Sequence, residues 1–225
     1  VGEAVGFVNQ QLNETGQLSD DAIGRAAETA FALRDAYGVD VSESVLAANN
    51  LMEKFGLTSD EAFGFITGGM QQGLNASGDF LESINEYSVQ FADGGANAGQ
   101  FFAIMETGLQ AGMLGTDKAA DLFKEFRLRI QDGSDSTRDA LNAIGLDADG
   151  MYEQMADGRL TAIDAMQLVK NALSNVDDEN LRMQAGVALM GSQFEDLGQS
   201  AVLGLEFIDT ALEDVMGSTD SLNKQ

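Results

Sequence analysis

The pattern that most constrains this sequence is a helical spacing of apolar residues that glycines interrupt at short intervals. In residues 162–173, for example, Ile163, Met166, Val169 and Leu173 fall on one face of a helix. Glycine accounts for 26 of the 225 residues, well above its usual share of about 7%. Glycine adopts the left-handed conformation that ends helices at no steric cost. Five glycines are therefore predicted to end helices: Gly38, Gly56, Gly115, Gly145 and Gly158.

The sequence predicts an all-α fold of about ten short helices separated by glycine turns, because strand-like alternation is rare. We expect a compact or zigzag helical module, since no heptad pattern persists over several turns. At most one short extended segment is predicted, near residues 126–131, where Phe126, Leu128 and Ile130 alternate with polar residues. Residues 37–44 and 55–62 share an aromatic–glycine–apolar start, which indicates two successive helix–turn–helix corners.

Residues that favour helix N-termini follow several of these turns. Ser19 precedes two aspartates, Thr58 precedes Glu61 by three residues, and Thr161 precedes Asp164 by the same spacing. A hydroxyl followed three residues later by an acidic side chain is typical of a capping box, in which each side chain bonds the other's backbone N–H. Helices are therefore predicted to begin after Ser19, Thr58 and Thr161.

The composition excludes several classes of chemistry. The chain contains no Cys, His, Pro or Trp, so disulfides, thiolate or imidazole metal sites and a Ser-His-Asp triad are all absent. Its 37 carboxylates against 12 Lys and Arg give a net charge of −25. Such a surface repels nucleic acid phosphates and anionic headgroups, so no specific nucleic acid binding is predicted. We assign no catalytic residue and no cofactor, and we interpret the chain as non-enzymatic.

Residues 157–166 resemble the second half of a calcium-binding loop, but the pattern lacks a necessary ligand. With Gly158 at the sixth loop position, Asp157 and Asp164 occupy the fifth and twelfth positions, whereas Met155 occupies the third. That position requires a hard oxygen ligand, which a thioether does not provide. We therefore interpret Gly158 as a helix end and Thr161 with Asp164 as the start of the next helix, and we assign no metal ligand.

Glycines also recur at four-residue spacing within predicted helices. One set lies in the stretch GFITGGMQQG, at Gly64, Gly68, Gly69 and Gly73, and the stretch GLQAG repeats the spacing at residues 108–112. Small residues at this spacing let two helix backbones approach closely. Because glutamine and asparagine flank these stretches, we interpret them as packing sites between helices in water.

Three stretches, in the same order along the chain, resemble the tail tape measure proteins of long-tailed bacteriophages. They read LMEKFGLTSDEAFGFITGGMQQGLNASGDFLESINEYSVQFADGG, KEFRLRIQDGSDSTRDALNAIGLDADGMYEQMADG and QAGVALMGSQFEDLG. The family-motif and packing positions that we derive from them and from the glycine and capping patterns are Gly56, Thr58, Glu61, Gly64, Gly68, Gly133, Gly158, Thr161, Asp164, Gly186, Gly191, Phe194, Glu195, Asp196, Leu197 and Gly198.

This resemblance implies a structural protein of the virion, located in the lumen of the phage tail after assembly in the host cytoplasm. Proteins of this family set tail length, assist tail assembly and leave ahead of the DNA at infection. The implied partners are a few further copies of the same chain, the tail tube protein and tail tip or chaperone proteins. Membrane contact is expected only after ejection. A coiled-coil tape is the family expectation, whereas the frequent glycines here favour a module within such a tape.

The resemblance covers residues 37–207. We accordingly predict a helical lead-in at residues 1–36, a tape-measure-like helical region at residues 37–207 and a helical tail at residues 208–225 that continues into a longer protein. An envelope-penetrating or cell-wall-degrading module of the same tail protein is the alternative. A cell-wall hydrolase built from this sequence would have to be a glycosidase that uses two carboxylates.

Overall fold

The computed structural model describes residues 2–12 and 18–207, and α-helix is the only regular secondary structure among them. The predicted all-α fold is therefore confirmed. The described residues form thirteen helices, whereas about ten were expected from the glycine turns. Their bounds are α1 Gly2–Leu12, α2 Asp20–Tyr37, α3 Val41–Phe55, α4 Ser59–Gln71, α5 Phe80–Asp93, α6 Ala98–Gln110, α7 Thr116–Asp132, α8 Asp135–Ala143, α9 Ala148–Ala156, α10 Ala162–Ser174, α11 Glu179–Met190, α12 Gln193–Asp196 and α13 Gln199–Leu203.

The short extended segment predicted near residues 126–131 is not formed, because α7 runs without interruption from Thr116 to Asp132. Phe126 and Ile130 are buried, whereas Leu128 is 46% exposed. Phe126 and Ile130 are four residues apart and therefore share one face of the helix. The apparent alternation arose from a single apolar residue on the solvent-exposed face.

The chain divides into two units, and α5 crosses the boundary between them. Of the described residues, the first unit comprises residues 2–12 and 18–89, and the second comprises residues 90–207. The boundaries predicted from the sequence, after residues 36 and 207, remain predictions. The predicted helical tail at residues 208–225 lies outside the described residues.

In the first unit, α4 is buried on every side. Residues 62–70 of this helix are all buried, and α4 packs against both α2 and α3. Arg25 of α2 binds Asp60 in the first turn of α4 through two hydrogen bonds, of 3.1 and 2.8 Å. A helix that is apolar all round requires neighbours on all faces, so α4 forms the core around which this unit packs.

In the second unit, α7 packs against α6, α10, α11 and α12. The ring of Phe91, at the end of α5, lies 4.4 Å from that of Phe101 in α6 and 4.2 Å from that of Phe123 in α7. All three side chains are fully buried. This aromatic cluster joins three helices in the core of the unit.

Glycine and a capping residue together form the corners between helices. Gly38 and Gly56 end α2 and α3 with φ of 73° and 69°, and Asp40 and Thr58, two residues later, cap the next helices. The two corners predicted from the sequence are therefore confirmed. The same order of left-handed glycine, apolar residue and N-cap recurs at residues 95–97 and 145–147.

One of the five glycines predicted to end a helix does not do so. Gly115 has φ of −159° and lies at the N-cap of α7. The preceding helix, α6, ends at Gln110, and Gly112 takes the left-handed turn with φ of 97°. A helix end needs only one such turn. Gly115 is therefore not part of the end of α6 and instead directly precedes α7.

The glycines at four-residue spacing serve two different purposes. A Cβ atom added at Gly69 would lie 2.3 Å from Cζ of Phe80, and one added at Gly108 would lie 2.7 Å from Cβ of Ala119. These two glycines permit close packing, as predicted. In contrast, Gly73 and Gly112 have φ of 83° and 97° and form turns after their helices, so their interpretation as packing sites was wrong.

The N-cap of α3 makes the stability of the chain depend on pH. Asp40 accepts hydrogen bonds from the hydroxyl and the backbone N–H of Ser42, and these bonds hold the pKa of Asp40 below its ordinary value. The cap therefore stabilises the fold above the pKa that Asp40 has in the unfolded chain, about 3.9. This contribution is lost as the pH falls through the lower pKa of the folded state.

We expect Asp40→Ala to lower the free energy of unfolding by about 1 kcal/mol at neutral pH, because the helix loses its cap. The difference from the wild type should shrink below about pH 4 as the carboxylate becomes protonated. Urea denaturation across this pH range measures both effects. Ser19→Ala is the matched control, because the hydroxyl that caps α2 does not titrate. An equal pH dependence for both variants would contradict the assignment.

Candidate functional site

The stretch at residues 184–198 forms the end of α11, all of α12 and the link to α13. Within it, the ring of Phe194 lies directly against the backbone of Gly186. A Cβ atom added at Gly186 would lie 2.2–2.5 Å from three ring carbons of Phe194, which is fully buried. Glycine at residue 186 is therefore what allows α12 to fold back onto α11.

Gly191 makes the sharp turn between these two helices. Its backbone has φ of 70° and ψ of −164°, a combination that is essentially restricted to glycine. Its N–H donates to the carbonyl of Val187 at 2.8 Å, which closes α11. A Cβ atom added at Gly191 would lie 2.7 Å from Nη2 of Arg129 in α7. Both the turn and its packing on α7 thus require a residue without a side chain.

A polar contact that the sequence did not reveal also fastens α12 to α7. Gln193 donates from Nε2 to Oδ2 of Asp121 at 2.7 Å, and the other oxygen of Asp121 accepts from Lys124 at 3.0 Å. Asp121 and Gln193 are 72 residues apart in sequence. No local pattern signals a pair at that separation.

The last residues of the stretch face solvent. Glu195 and Asp196 are exposed, and Leu197 is half-buried. Gly198 has φ of 82° and starts the turn into α13. Asp196 and Leu197 line a groove of about 280 Å³, together with Gln193, Lys118 and residues 112–114. The stretch therefore has a packed part, around Gly186 and Phe194, and an exposed part on this groove.

The stretch that resembled a calcium loop forms a helix junction. Gly158 has φ of 71° and follows α9, and Thr161 and Asp164 form a complete capping box at the start of α10. The predicted helix end and capping box are both confirmed. Among residues 2–12 and 18–207, no three carboxylates lie close enough together to hold a metal ion.

The capping box packs against a pair of glycines, Gly94 and Gly95. The sequence did not indicate that these two glycines have a role. The carbonyl of Gly94 accepts from the N–H of Ile163 at 3.1 Å. A Cβ atom added at Gly95 would lie 2.6 Å from Cβ and Cγ2 of Thr161. A search for the glycine–apolar–cap pattern would have found this corner in residues 95–97.

The other predicted positions lie apart from these contacts along the chain. Thr58 and Glu61 form a complete capping box at the start of α4, as predicted, and Gly64 and Gly68 are buried within that helix. These residues belong to the first unit, as does Gly56. Gly133 ends α7 in the second unit, with φ of 60°, and lies against the ring of Tyr152. The predicted positions thus form several separate corners.

None of the helices in the described ranges combines the length and the apolar character that crossing a bilayer requires. No solved structure matches the chain. It is 32% identical over 221 residues to a protein of Streptomyces phage phiC31 described as a probable tape measure protein. This alignment covers 97% of the chain but 30% of the relative.

The comparison with protein families gives a match over most of the chain. The family profile described as phage-related minor tail protein matches residues 2–191, which include Gly186 and Gly191 but end before Phe194. Together with the phiC31 relative, this match confirms the resemblance to tail tape measure proteins and the assignment to the virion tail. The chain belongs to the phage-related minor tail protein family.

Proposed function

We propose that this chain is a structural spacer module of a tail tape measure protein. In this role it lies in the lumen of the tail tube, helps to set tail length and assists tail assembly and DNA ejection. The supporting observation is the similarity to the phiC31 tape measure protein, which extends over 97% of the chain. Because the chain spans only 30% of that relative, the module is one part of the tape.

The charge and the described side chains are compatible with this role. The net charge of −25 keeps the module from adhering to DNA that passes through the same tube. In the proposal the chain catalyses no reaction, and its partners are further copies of itself, the tail tube protein and tail tip or chaperone proteins. In this proposal the helix corners are the important structural features, because they divide the module into short helical segments.

Tail length in a phage with a shortened module tests the proposal. An in-frame deletion of residues 94–207 removes almost all of the second unit but leaves α5 intact. If these roughly 115 residues lie in the tube as extended helix, tails should shorten by about 170 Å, at about 1.5 Å per residue. If they lie there as a folded unit, the expected shortening is only about 35 Å. Electron microscopy of negatively stained tails distinguishes the two values.

Duplication of residues 94–207 is the matched control, because it should lengthen tails by the same amount that the deletion removes. Opposite changes of equal size would establish the module as part of the ruler. Tails of normal length on non-infective particles would contradict the ruler role and favour the alternative of an envelope-penetrating module. A complete absence of tails with both variants would contradict the spacer role and indicate a function in starting assembly.

A further inference from the structure

The groove next to α12 has the features of a docking surface. We define the docking groove by Met113 and Leu114 in the turn before α7, Lys118 in α7, and Gln193, Asp196 and Leu197 in and after α12. The packing of Phe194 on Gly186 and the bond from Gln193 to Asp121 hold its α12 side in place. The α12 side of the groove thus lies on a well-packed element of the second unit.

Leu114 projects into solvent at the edge of this groove. It is 88% exposed, whereas the other exposed large apolar side chains in the described ranges are 37–46% exposed. Single exposed leucines are common on protein surfaces, but Leu114 adjoins the half-buried Leu197 and the buried Met113. Burying this edge under a partner would remove apolar surface from water and so favour binding.

The groove is large enough for a side chain of a binding partner, with a volume of about 280 Å³. Peptide-binding grooves accept one or two anchor side chains of a longer segment. The docking groove has room for one apolar anchor beside Leu114.

One uncompensated acidic group lines the same groove. Lys118 pairs with Asp117 at 2.8 Å, and Lys124 pairs with Asp121 at 3.0 Å. Asp196 lines the groove, is exposed and forms no ion pair within the described part of the chain. The groove therefore carries an unpaired negative charge, in a chain whose net charge is already −25. A positively charged partner is favoured there, and a second copy of this acidic chain is repelled.

We propose that the docking groove binds a basic amphipathic segment of another protein. An apolar side chain of the segment occupies the groove beside Leu114 and Leu197, and a Lys or Arg next to it pairs with Asp196. In this proposal, the exposed part of the stretch at residues 184–198 is an interface. The packed part of the stretch, around Gly186 and Phe194, holds that interface in place. This assignment goes beyond the ruler role and does not depend on it.

A short synthetic helical peptide with a leucine face flanked by lysines serves as the probe, and fluorescence anisotropy measures its binding to the full chain. We expect Leu114→Ser to weaken binding about tenfold, because the apolar contact is lost. Asp196→Asn should weaken binding about threefold at low salt and have no effect at high salt. Both side chains are exposed, so circular dichroism should show unchanged folding.

Two matched controls separate the groove from the general acidity of the chain. Leu168, which is 42% exposed in α10, is replaced by serine, and Glu153, which is exposed in α9, is replaced by glutamine. Neither control should change binding, and a peptide with glutamates in place of its lysines should not bind.

Equal weakening by Leu114→Ser and Leu168→Ser would overturn the proposal, as would equal weakening by Asp196→Asn and Glu153→Gln. Self-association of the chain that Leu114→Ser abolishes would assign the groove to a second copy and would also overturn it. None of these results bears on the tail lengths measured for the deletion and the duplication.

Discussion

Replacing Gly186 with alanine is expected to lower the free energy of unfolding by about 1–3 kcal/mol, the usual cost of overpacking a well-filled core. The new methyl group would lie 2.2–2.5 Å from three ring carbons of Phe194, which is fully buried. Alanine is the better helix former by about 1 kcal/mol, and the steric clash outweighs that gain. Chemical denaturation followed by circular dichroism measures the change.

Gly24 supplies the matched control, because it lies within α2 and a Cβ atom added there would meet nothing within 4 Å. The same substitution at Gly24 should raise the free energy of unfolding by about 0.5–1 kcal/mol, through helix propensity alone. Phe194→Leu should relieve the clash at Gly186→Ala, so the double variant should be more stable than the sum of the single effects. Gains in stability at both glycines, or strict additivity with Phe194→Leu, would refute the packing argument.

The second large effect is expected at Gly95, where alanine should lower the free energy of unfolding by about 2–4 kcal/mol. With φ of 81°, the backbone is in the left-handed region, which costs a residue with a side chain about 1–2 kcal/mol. The methyl group would also lie 2.6 Å from Cβ and Cγ2 of Thr161. Displacing Thr161 disturbs the N-cap of α10, which is worth about 1 kcal/mol.

The substitution Gly145→Ala measures the cost of the left-handed backbone alone. Its comparison with Gly95→Ala therefore shows how much of the loss at Gly95 comes from the contact with Thr161. Gly145 occupies the same kind of corner, with φ of 84°, but an added Cβ atom would meet nothing within 4 Å. Gly145→Ala should therefore cost only the backbone strain, about 1–2 kcal/mol. Thr161→Ser keeps the capping hydroxyl but removes Cγ2, so it should recover part of the loss in Gly95→Ala. Equal losses at the two glycines in urea denaturation would show that the contact with Thr161 contributes nothing.

The helix corners could be predicted because their causes are local. A left-handed glycine and an N-cap need only residues within about four positions of each other, and the corners at Gly38 and Gly56 follow that rule. The errors came from patterns with two readings. Gly115 looked like a helix end, but Gly112 had already made the turn. Leu128 looked like part of a strand, but it lies on the exposed face of α7.

The candidate site could be predicted only in part. The sequence pointed to Gly186, Gly191 and Phe194 through a resemblance, but it gave no reason for the glycines. The reason is contact with Phe194 for Gly186 and with Arg129 for Gly191. The sequence did not indicate a role for Leu114, which is a single apolar residue near a turn. It did not indicate one for Gln193 either, because glutamine is a common polar residue. Their importance comes from neighbours on α7 and α12.

By itself, the sequence determined the all-α class, most helix ends and the absence of thiol and imidazole chemistry, because these depend on local spacing and on composition. Only the tertiary structure decided which glycines are packing sites, which acids line a groove and which leucine projects into solvent. Those properties depend on residues far apart in the chain, such as Asp121 and Gln193. Close packing is decided by distances of a few tenths of an ångström between such residues, and a linear pattern contains no information on those distances.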